Sequence, residues 1–594
     1  MYFLKYAAFT VYGVAAFTFV YYLQLALIIE QCRDWLFKTI QNDQVYDYIV
    51  VGAGSAGSVL AAKLANAKYK TLLIEAGGTP PAFFNIPILS PLFQQSVYDW
   101  QYSTVPQHHS CKGLINNQSV WPAGKILGGS SRLNYMAYVC GHAEDYADWF
   151  PDFIEPIIEK NGSLHVKEIL WPTELSTAVL KGITEMGHSI RNINKELRTG
   201  FMKVQLTMKN GERWSSDQIL HTKHLSTLTV ITNAHVTKVL FKSNKAAGVE
   251  FVKFHTPLQS LAKKGIIISA GAIGSPKLLM LSGIGPKDHL QDLKIQIISD
   301  LPVGENLMDH ILTGIDLVTL ETSLSLSLVN ALNPISALNY FLYGKGPWTS
   351  AGIEVVGTFN EPFHLNNTVL PNLQLMVMPI GVSQDYGIAL RKAMGISDKI
   401  FQEYFAPLAY KTAVTVAPVL LHPKSTGNIK LRSNDPYDDP IIDPNYLSEQ
   451  EDVQTLISGL KFVERLISTK AMKTLGASLY KKNFPGCEDE IFNSNEYWEC
   501  YIRHLTLTSY HPAGTCRMGS VVDESFRVHG TENLYVVDAS VLPKLPSANI
   551  NAAVVALAEK ASRLLIKNKN KYLRHQVSKV CYKIEVFRIR SNKR

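Results

Sequence analysis

Residues 46–78, "YDYIVVGAGSAGSVLAAKLANAKYKTLLIEAGG", constrain the fold more than any other stretch of the chain. Tyr48–Val51 reads as a strand buried on both faces, Ser58–Ala65 as a helix and Thr71–Ile74 as the next strand. Gly52, Gly54 and Gly57 form GxGxxG at the strand-to-helix turn. There, missing side chains permit a sharp bend, close approach of a pyrophosphate and tight helix packing. Glu75 stands at the end of the second strand, where an acid can bind ribose hydroxyls. A glycine turn alone requires no ligand. This one, with a strand before, a helix after and an acid at the right distance, predicts a dinucleotide-binding βαβ unit without choosing between FAD and NAD.

Further stretches make that choice. Residues 121–134 read "WPAGKILGGSSRLN", a second glycine-rich loop, and 271–285 read "GAIGSPKLLMLSGIG" after the strand-like "GIIISA". They are followed by "LPVGENLMDH" at 301–310, "TSYHPAGTCRMG" at 508–519 and "ENLYVVDASVLPKLPSANINAAVVALAEKAS" at 532–562. In this order, from about Tyr46 to Leu565, the chain resembles the glucose-methanol-choline (GMC) family of FAD-dependent alcohol oxidoreductases, and "FPGC…EYWECYIRHLTLTSYHPAGTC" resembles its insect, glucose-dehydrogenase-like branch.

The resemblance implies an α/β fold: a glutathione-reductase-like FAD-binding domain plus a substrate domain whose antiparallel sheet is covered by helices. The FAD domain is expected to be assembled from 45–160, 200–312 and 512–566, and the substrate domain from 161–199 and 313–511. The strand and turn signals of 426–447 suit the substrate sheet. By the same likeness Gly52, Gly54 and Gly57 face the pyrophosphate, Glu75 the adenosine ribose and the Val236 backbone the adenine. Gly128, Gly129, Ser130 and Asn134 line the flavin side, and Asp538 with Ala539 the pyrophosphate or ribityl chain. Leu133 occupies the place where some members carry a flavin-linking histidine, so dissociable FAD is expected.

His511 falls at the family's catalytic histidine and Asn549 at its partner position. Removing a hydride from a carbinol carbon requires loss of the hydroxyl proton, so a base and an electron sink must meet at one carbon. In that reading His511 takes the proton and Asn549 orients the oxygen. Asn549 is equally suited to cap the helix that follows, and Asn551 lies two positions away. Glu354, in "GPWTSAGIEVVG", aligns with a substrate-side position and also suits a solvated surface acid.

Composition excludes other classes. The chain has 594 residues, 46% hydrophobic and 18% charged, and is globular. Its net charge of +8 does not indicate nucleic acid, because residues 567–594 hold ten Lys and Arg against one acid, Glu585, and the remainder is close to neutral. That tail has no recognisable nucleic-acid module; it suits either a solvated terminus or contact with an anionic membrane surface.

Residues 6–29 are uncharged and, as a helix, long enough to span a bilayer. Within 1–40 this predicts a signal anchor, with a cleaved signal peptide as the alternative, and places the catalytic part in the lumen or outside. Seven cysteines match no metal-ligand spacing, so no metal is expected, and Cys487 and Cys500 bracket a short loop that can be bridged in an oxidising compartment. Asn117, Asn161 and Asn366 begin glycosylation sequons.

The expected partners are therefore a small-molecule alcohol, a quinone or other electron acceptor, and a membrane contacted through the N-terminal segment. Rival readings are an oxidase that uses oxygen, a lyase that keeps the flavin structurally, and a catalytically silent binding protein.

Overall fold

A computed structural model describes Tyr21, Leu25 and residues 42–150, 163–222, 225–361 and 370–566. The βαβ unit forms as strand β1 (Gln44–Val51), helix α1 (Ser55–Asn66) and strand β2 (Thr71–Ile74). It is joined by β3 (Leu228–Ile231), β4 (Ala234–Lys242), β5 (Lys245–Lys253), β6 (Thr256–Ile268), helix α2 (Gly271–Leu281) and β7 (Leu534–Val536). The sheet order is β3-β2-β1-β6-β5-β4, with β7 also paired to β6. Strands β3, β2, β1, β6 and β7 run parallel, whereas β4 and β5 add an antiparallel flap.

Ile49, Val50, Leu72, Leu73, Ile266 and Ile267 are fully buried, as expected for strands covered on both faces. Because these strands are parallel, β1, β2, β6 and β7 end on one edge, which brings Gly52, Glu75, Ser269 and Asp538 together. Ligands of open α/β sheets bind at such carboxyl edges.

The second sheet is antiparallel and has eight strands. Ser478–Leu479, Val318–Leu320, Thr412–Leu420, Leu373–Met378, Val355–Phe359 and Gly200–Lys203 follow one another across it. Helix Gln450–Ile467 covers one face: Val453, Leu456, Ile457, Leu460, Val463 and Ile467 recur at helical spacing and are all buried. Helix Glu174–Glu185 adds Leu175, Val179 and Ile183 to the same core.

Two segments sit differently from expectation. Gly200–Lys203, expected in the FAD domain, pairs with Val355–Phe359 as an end strand of the second sheet. Phe201 stacks on Phe462 there and lies over Gly357, where a Cβ would stand 2.1 Å from the Phe201 ring. A four-residue strand carries no periodicity that says which sheet it joins. Residues 426–447 likewise stay outside the large sheet. Asn428–Lys430 and Ile441–Asp443 form a separate two-stranded ribbon, held by backbone bonds to Gly304 and Leu307.

Cys487 and Cys500 are joined in a disulfide, while Cys111, Cys140 and Cys516 are free and buried. Apart from Tyr21 and Leu25, the uncharged stretch 6–29 lies outside the described residues, as do Asn161, Asn366 and the tail 567–594. Among the described residues no helix is long and apolar enough to cross a membrane.

Candidate active site

A continuous cavity of about 600 Å³ runs from the carboxyl edge of the parallel strands to the second sheet. Glu75 and Val236 line one end, Gly52, Gly54, Gly129, Ser130 and Asn134 the middle, and His511 and Asn549 the reaction end. Asp538 and Ala539 also line it, whereas Gly57 and Gly128, expected to face the cofactor, do not: a Cβ on Gly57 would stand 1.8 Å from the Gly52 carbonyl oxygen and one on Gly128 2.4 Å from the Asp217 carboxylate.

The two glycine loops meet face to face. Gly52 has φ +93° and Gly129 φ +53°; a Cβ on Gly129 would stand 2.7 Å from the Gly54 Cα. Helix α1 starts after Gly54 with no side-chain cap, so its first-turn amides and the positive end of its dipole serve an anion in the cavity.

Both Glu75 oxygens accept backbone bonds, from Ala53 and Gly77, each at 2.9 Å. Burial pushes its carboxyl up to about 7 against these bonds and Lys125. The Asp538 carboxylate is taken by protein donors: Gly271 N at 2.9 Å and Ser275 Oγ at 2.5 Å on one oxygen, Ser540 N at 2.8 Å and Ser540 Oγ at 2.5 Å on the other. It clamps the end of β7 to the start of α2, so what Asp538 and Ala539 do in the wall is shape the cavity around that clamp.

Two buried arginines that the sequence did not single out hold the second glycine loop. Arg213 Nη1 donates to the Asn134 Oδ1 at 2.8 Å and to the Ser131 carbonyl at 3.1 Å. Arg132 pairs with Asp217, Nε to Oδ1 at 2.9 Å and Nη2 to Oδ2 at 2.5 Å. Loops of this polarity are fixed only when their donors and acceptors are paired internally.

The reaction end is built by strand pairing. Ile311–Leu312 pairs with Leu507–Thr508, which sets His310 opposite Ser509 through Ser509 N to the His310 carbonyl at 2.8 Å. Tyr510 then takes φ +64°, a left-handed conformation that a bulky residue adopts at a cost, and turns the next residue toward the cavity. Asp309 accepts from His511 N at 2.8 Å, from Thr508 Oγ1 at 2.6 Å and from the Tyr446 hydroxyl, fixing the loop. Burial raises the Asp309 carboxyl to about 6 against those bonds.

His511 Nδ1 lies 2.9 Å from His310 Nδ1, with the rings edge to face. His511 Nε2 lies 3.3 Å from Asn549 Nδ2. Burial lowers His511 to about 3, and burial, then the neighbouring His511 and His422 rings, hold His310 well below the ordinary histidine range. Both rings are neutral, so one Nδ1 donates and the other accepts. Asn549 Nδ2 can only donate, so His511 Nε2 is an acceptor and the proton of that ring sits on Nδ1. His310 Nδ1 then accepts from His511 Nδ1–H, and the His511 Nε2 lone pair faces the Asn549 amide.

Asn549 precedes helix 551–566, but its side chain bonds His511 and, at 3.5 Å, Gln374 rather than capping that helix. Asn551 serves elsewhere, accepting from Ser55 Oγ at 2.6 Å at the start of α1.

Glu354 requires correction. It is fully buried outside the cavity wall, accepting from Thr173 N at 2.8 Å and Thr173 Oγ1 at 2.7 Å. Thr173 precedes helix Glu174–Glu185, so this carboxylate anchors that helix start, favourably placed against its dipole. Its neighbours Gly352 and Ile353 reach the cavity instead. The partner that takes the acid, Thr173, is 181 residues away in the chain and leaves no local sign in the sequence.

Cys487, Cys500 and His504 cluster closely enough to suggest a metal, but the sulfurs are bonded to each other and offer no thiolate. The residues along the cavity suit FAD instead: an uncapped helix start, glycines that leave room where two loops meet, an acid at the end of β2, and a neutral histidine in the same wall.

GMC oxidoreductase family models match residues 46–312 and 423–558. Glucose dehydrogenase [FAD, quinone] of Drosophila pseudoobscura pseudoobscura is 36% identical, covering 88% of this chain and 87% of its own. Ecdysone oxidase of Spodoptera littoralis is 30% identical over 90% of this chain and 93% of its own. The solved structure of pyridoxine 4-oxidase from Mesorbium loti is 26% identical, covers 88% of this chain and 99% of its own, and superposes with a TM-score of 0.72. The chain belongs to the GMC oxidoreductase family and is an FAD-dependent enzyme acting on CH–OH donors.

Proposed function

We propose that this chain oxidises an alcohol to the carbonyl with His511 as the base and passes the electrons to a quinone-like acceptor. The observation that carries the reading is the His310–His511–Asn549 row, in which His511 Nε2 lines the cavity as an acceptor with the Asn549 amide, a weak and replaceable donor at 3.3 Å, beside it. Bound FAD supplies the hydride acceptor for the carbinol carbon. Gly54, Gly129 and the first turn of α1 would hold the phosphates, Glu75 the ribose, and Ser130 and Asn134 the flavin side.

Asn549 Nδ2 donates to the substrate oxygen and His511 Nε2 accepts its proton as the C–H bond breaks. His310 keeps the proton on His511 Nδ1, so the reactive nitrogen stays unprotonated. Burial holds the ring neutral at any pH above about 3, and the same burial makes a lasting imidazolium costly, so the proton leaves the ring again within each turnover.

The quinone acceptor is supported by the similar insect glucose dehydrogenase [FAD, quinone] and alcohol dehydrogenase [acceptor] of Pseudomonas putida. Oxygen is the second reading, favoured by the oxidases among similar proteins. Anaerobic reduction of the bound flavin by members of an alcohol library tests the reaction; no bleaching with any of them would refute it. Stoichiometric hydrogen peroxide in air would replace the quinone by oxygen. His511→Ala should retain FAD and slow flavin reduction by about 100 to 10,000-fold, with partial recovery at high pH as hydroxide substitutes for the ring.

The uncharged stretch 6–29 is proposed to hold the enzyme on a membrane, with the catalytic part on the lumenal or outer side. Carbonate washing and amino-terminal sequencing test this. A soluble product starting near residue 30 would mean cleavage and secretion.

A further inference from the structure

The helix Pro334–Tyr343, "PISALNYFLY", lies between cavity-lining residues, Ala331 and Leu332 before it and Trp348 after it. It is firmly specified. The Asn333 side chain caps Ile335 N at 2.9 Å, Pro334 occupies the first turn and Gly344, at φ +61°, ends it. Yet its outer surface is apolar: Leu332, Ile335, Leu338, Phe341, Leu342 and Tyr343 are each more than half exposed. From residue 322 to residue 353 the single charged side chain is Lys345. A soluble surface helix carries its charges on such a face, and contiguous exposed apolar groups of this extent mark a contact surface.

The surface is continuous with the cavity. Trp348 packs against Phe341 at 5.7 Å and Tyr340 at 5.8 Å, donates to the Ala331 carbonyl at 2.7 Å, and itself lines the cavity. Leu332 lines it too, as do Leu92 and Ile388, both more than half exposed. The entrance is therefore rimmed by apolar side chains that face both the solvent and the interior. Leu326, Ile315, Leu312, Ile353, Met376 and Met378 extend the apolar lining of the same cavity, which His511 also lines.

We infer that this rim docks on a lipid bilayer, with helix Pro334–Tyr343 lying in its surface, and that the enzyme draws a lipophilic alcohol from the bilayer into the cavity. A protein or second copy seated on the same side chains would close the entrance they surround, whereas a fluid apolar phase covers them and supplies substrate through them. The chemistry matches an interfacial helix: apolar residues outward, Tyr343 as an exposed amphipathic aromatic, and Lys345 able to reach the headgroups. The same chain carries an uncharged stretch of bilayer-spanning length at 6–29 and a basic tail after 566, which makes a membrane the nearest apolar phase. The substrate half of the inference rests on the proposed alcohol oxidation; the docking half does not.

The test uses the full FAD-loaded chain with Leu338→Cys on a Cys32→Ser/Cys581→Ser background, labelled with an environment-sensitive fluorophore, and vesicles of phosphatidylcholine with phosphatidylserine. Docking predicts a blue shift and quenching by nitroxide-bearing lipids but not by aqueous iodide. A label that stays quenchable by iodide while the protein floats with the vesicles overturns it. So does a blue shift without vesicles at the mass of a dimer, which would assign the face to a second copy.

For delivery, Leu338→Glu/Phe341→Glu should lower kcat/KM for 1-dodecanol presented in vesicles by about tenfold or more, with 1-butanol in water unchanged. An equal effect on both alcohols, or on neither, overturns delivery. If no alcohol reduces the flavin, the proposed reaction fails while the fluorophore still reports whether the helix enters lipid.

Discussion

His310→Ala removes the acceptor that fixes the proton of His511, and the size of the effect can be worked from the site. In the native arrangement His511 Nδ1–H donates to His310 Nδ1 at 2.9 Å inside a buried wall. Stranding a buried donor costs about 1–3 kcal/mol. The ring avoids this cost by moving its proton to Nε2, the nitrogen required as base. At 1.36 kcal/mol per tenfold, flavin reduction should slow by about 5 to 150-fold, less than for loss of the His511 ring itself. Both tautomers are neutral, so the defect should be independent of pH between about 6 and 9, unlike that of His511→Ala, whose rate recovers as hydroxide rises. His310→Gln offers an amide oxygen in place of Nδ1 and should restore part of the rate. The assay is anaerobic stopped-flow reduction with the best alcohol of the library, on protein checked for FAD content and thermal stability. A folded, FAD-loaded His310→Ala enzyme reduced at the native rate, or one whose defect rises and falls with pH like that of His511→Ala, would refute the tautomer argument.

Glu354→Gln should keep flavin reduction within about threefold, since the residue anchors a helix outside the cavity, and should flatten the pH dependence of stability. Burial raises this carboxyl from 4.5 to about 7, so the folded protein holds a proton that the unfolded chain releases; its stabilisation is complete below 4.5 and is lost as pH rises through 7, by up to about 3 kcal/mol. Identical melting profiles for native and variant from pH 4.5 to 8 would contradict this. Gly129→Ala places a methyl 2.7 Å from the Gly54 Cα in a left-handed backbone, so the purified protein should lack FAD absorbance at 450 nm, and a yellow, stoichiometric holoprotein would count against the meeting of the two loops. Acid precipitation of the native enzyme should release all of its FAD, because buried Leu133 offers no linking nitrogen. Cys487→Ser/Cys500→Ser opens a 13-residue loop and should cost about 3 kcal/mol in denaturant unfolding with flavin reduction unchanged, since neither sulfur lines the cavity.

The sequence by itself determined what is local. The βαβ unit is legible because apolar runs, glycines and Glu75 lie within 30 residues of one another, and their spacing dictates the turn, the helix start and the parallel pair. The motif order made the family and FAD legible, and with them His511 and Asn549 as residues of interest. What only the tertiary structure decided depends on contacts between distant segments. His310 sat inside a quoted motif, yet nothing local says that pairing of Ile311–Leu312 with Leu507–Thr508 lays its ring against His511, 201 residues away. Arg213 and Asp217 read as ordinary surface charges until folding buries them under the second glycine loop. Glu354 failed as a substrate residue for the same reason: the partner that uses it, Thr173, is 181 residues away. Long-range pairing carries no signature in a single chain's local pattern, because hydrogen-bonding capacity and charge are the same whether a side chain meets water, a helix end or a catalytic ring.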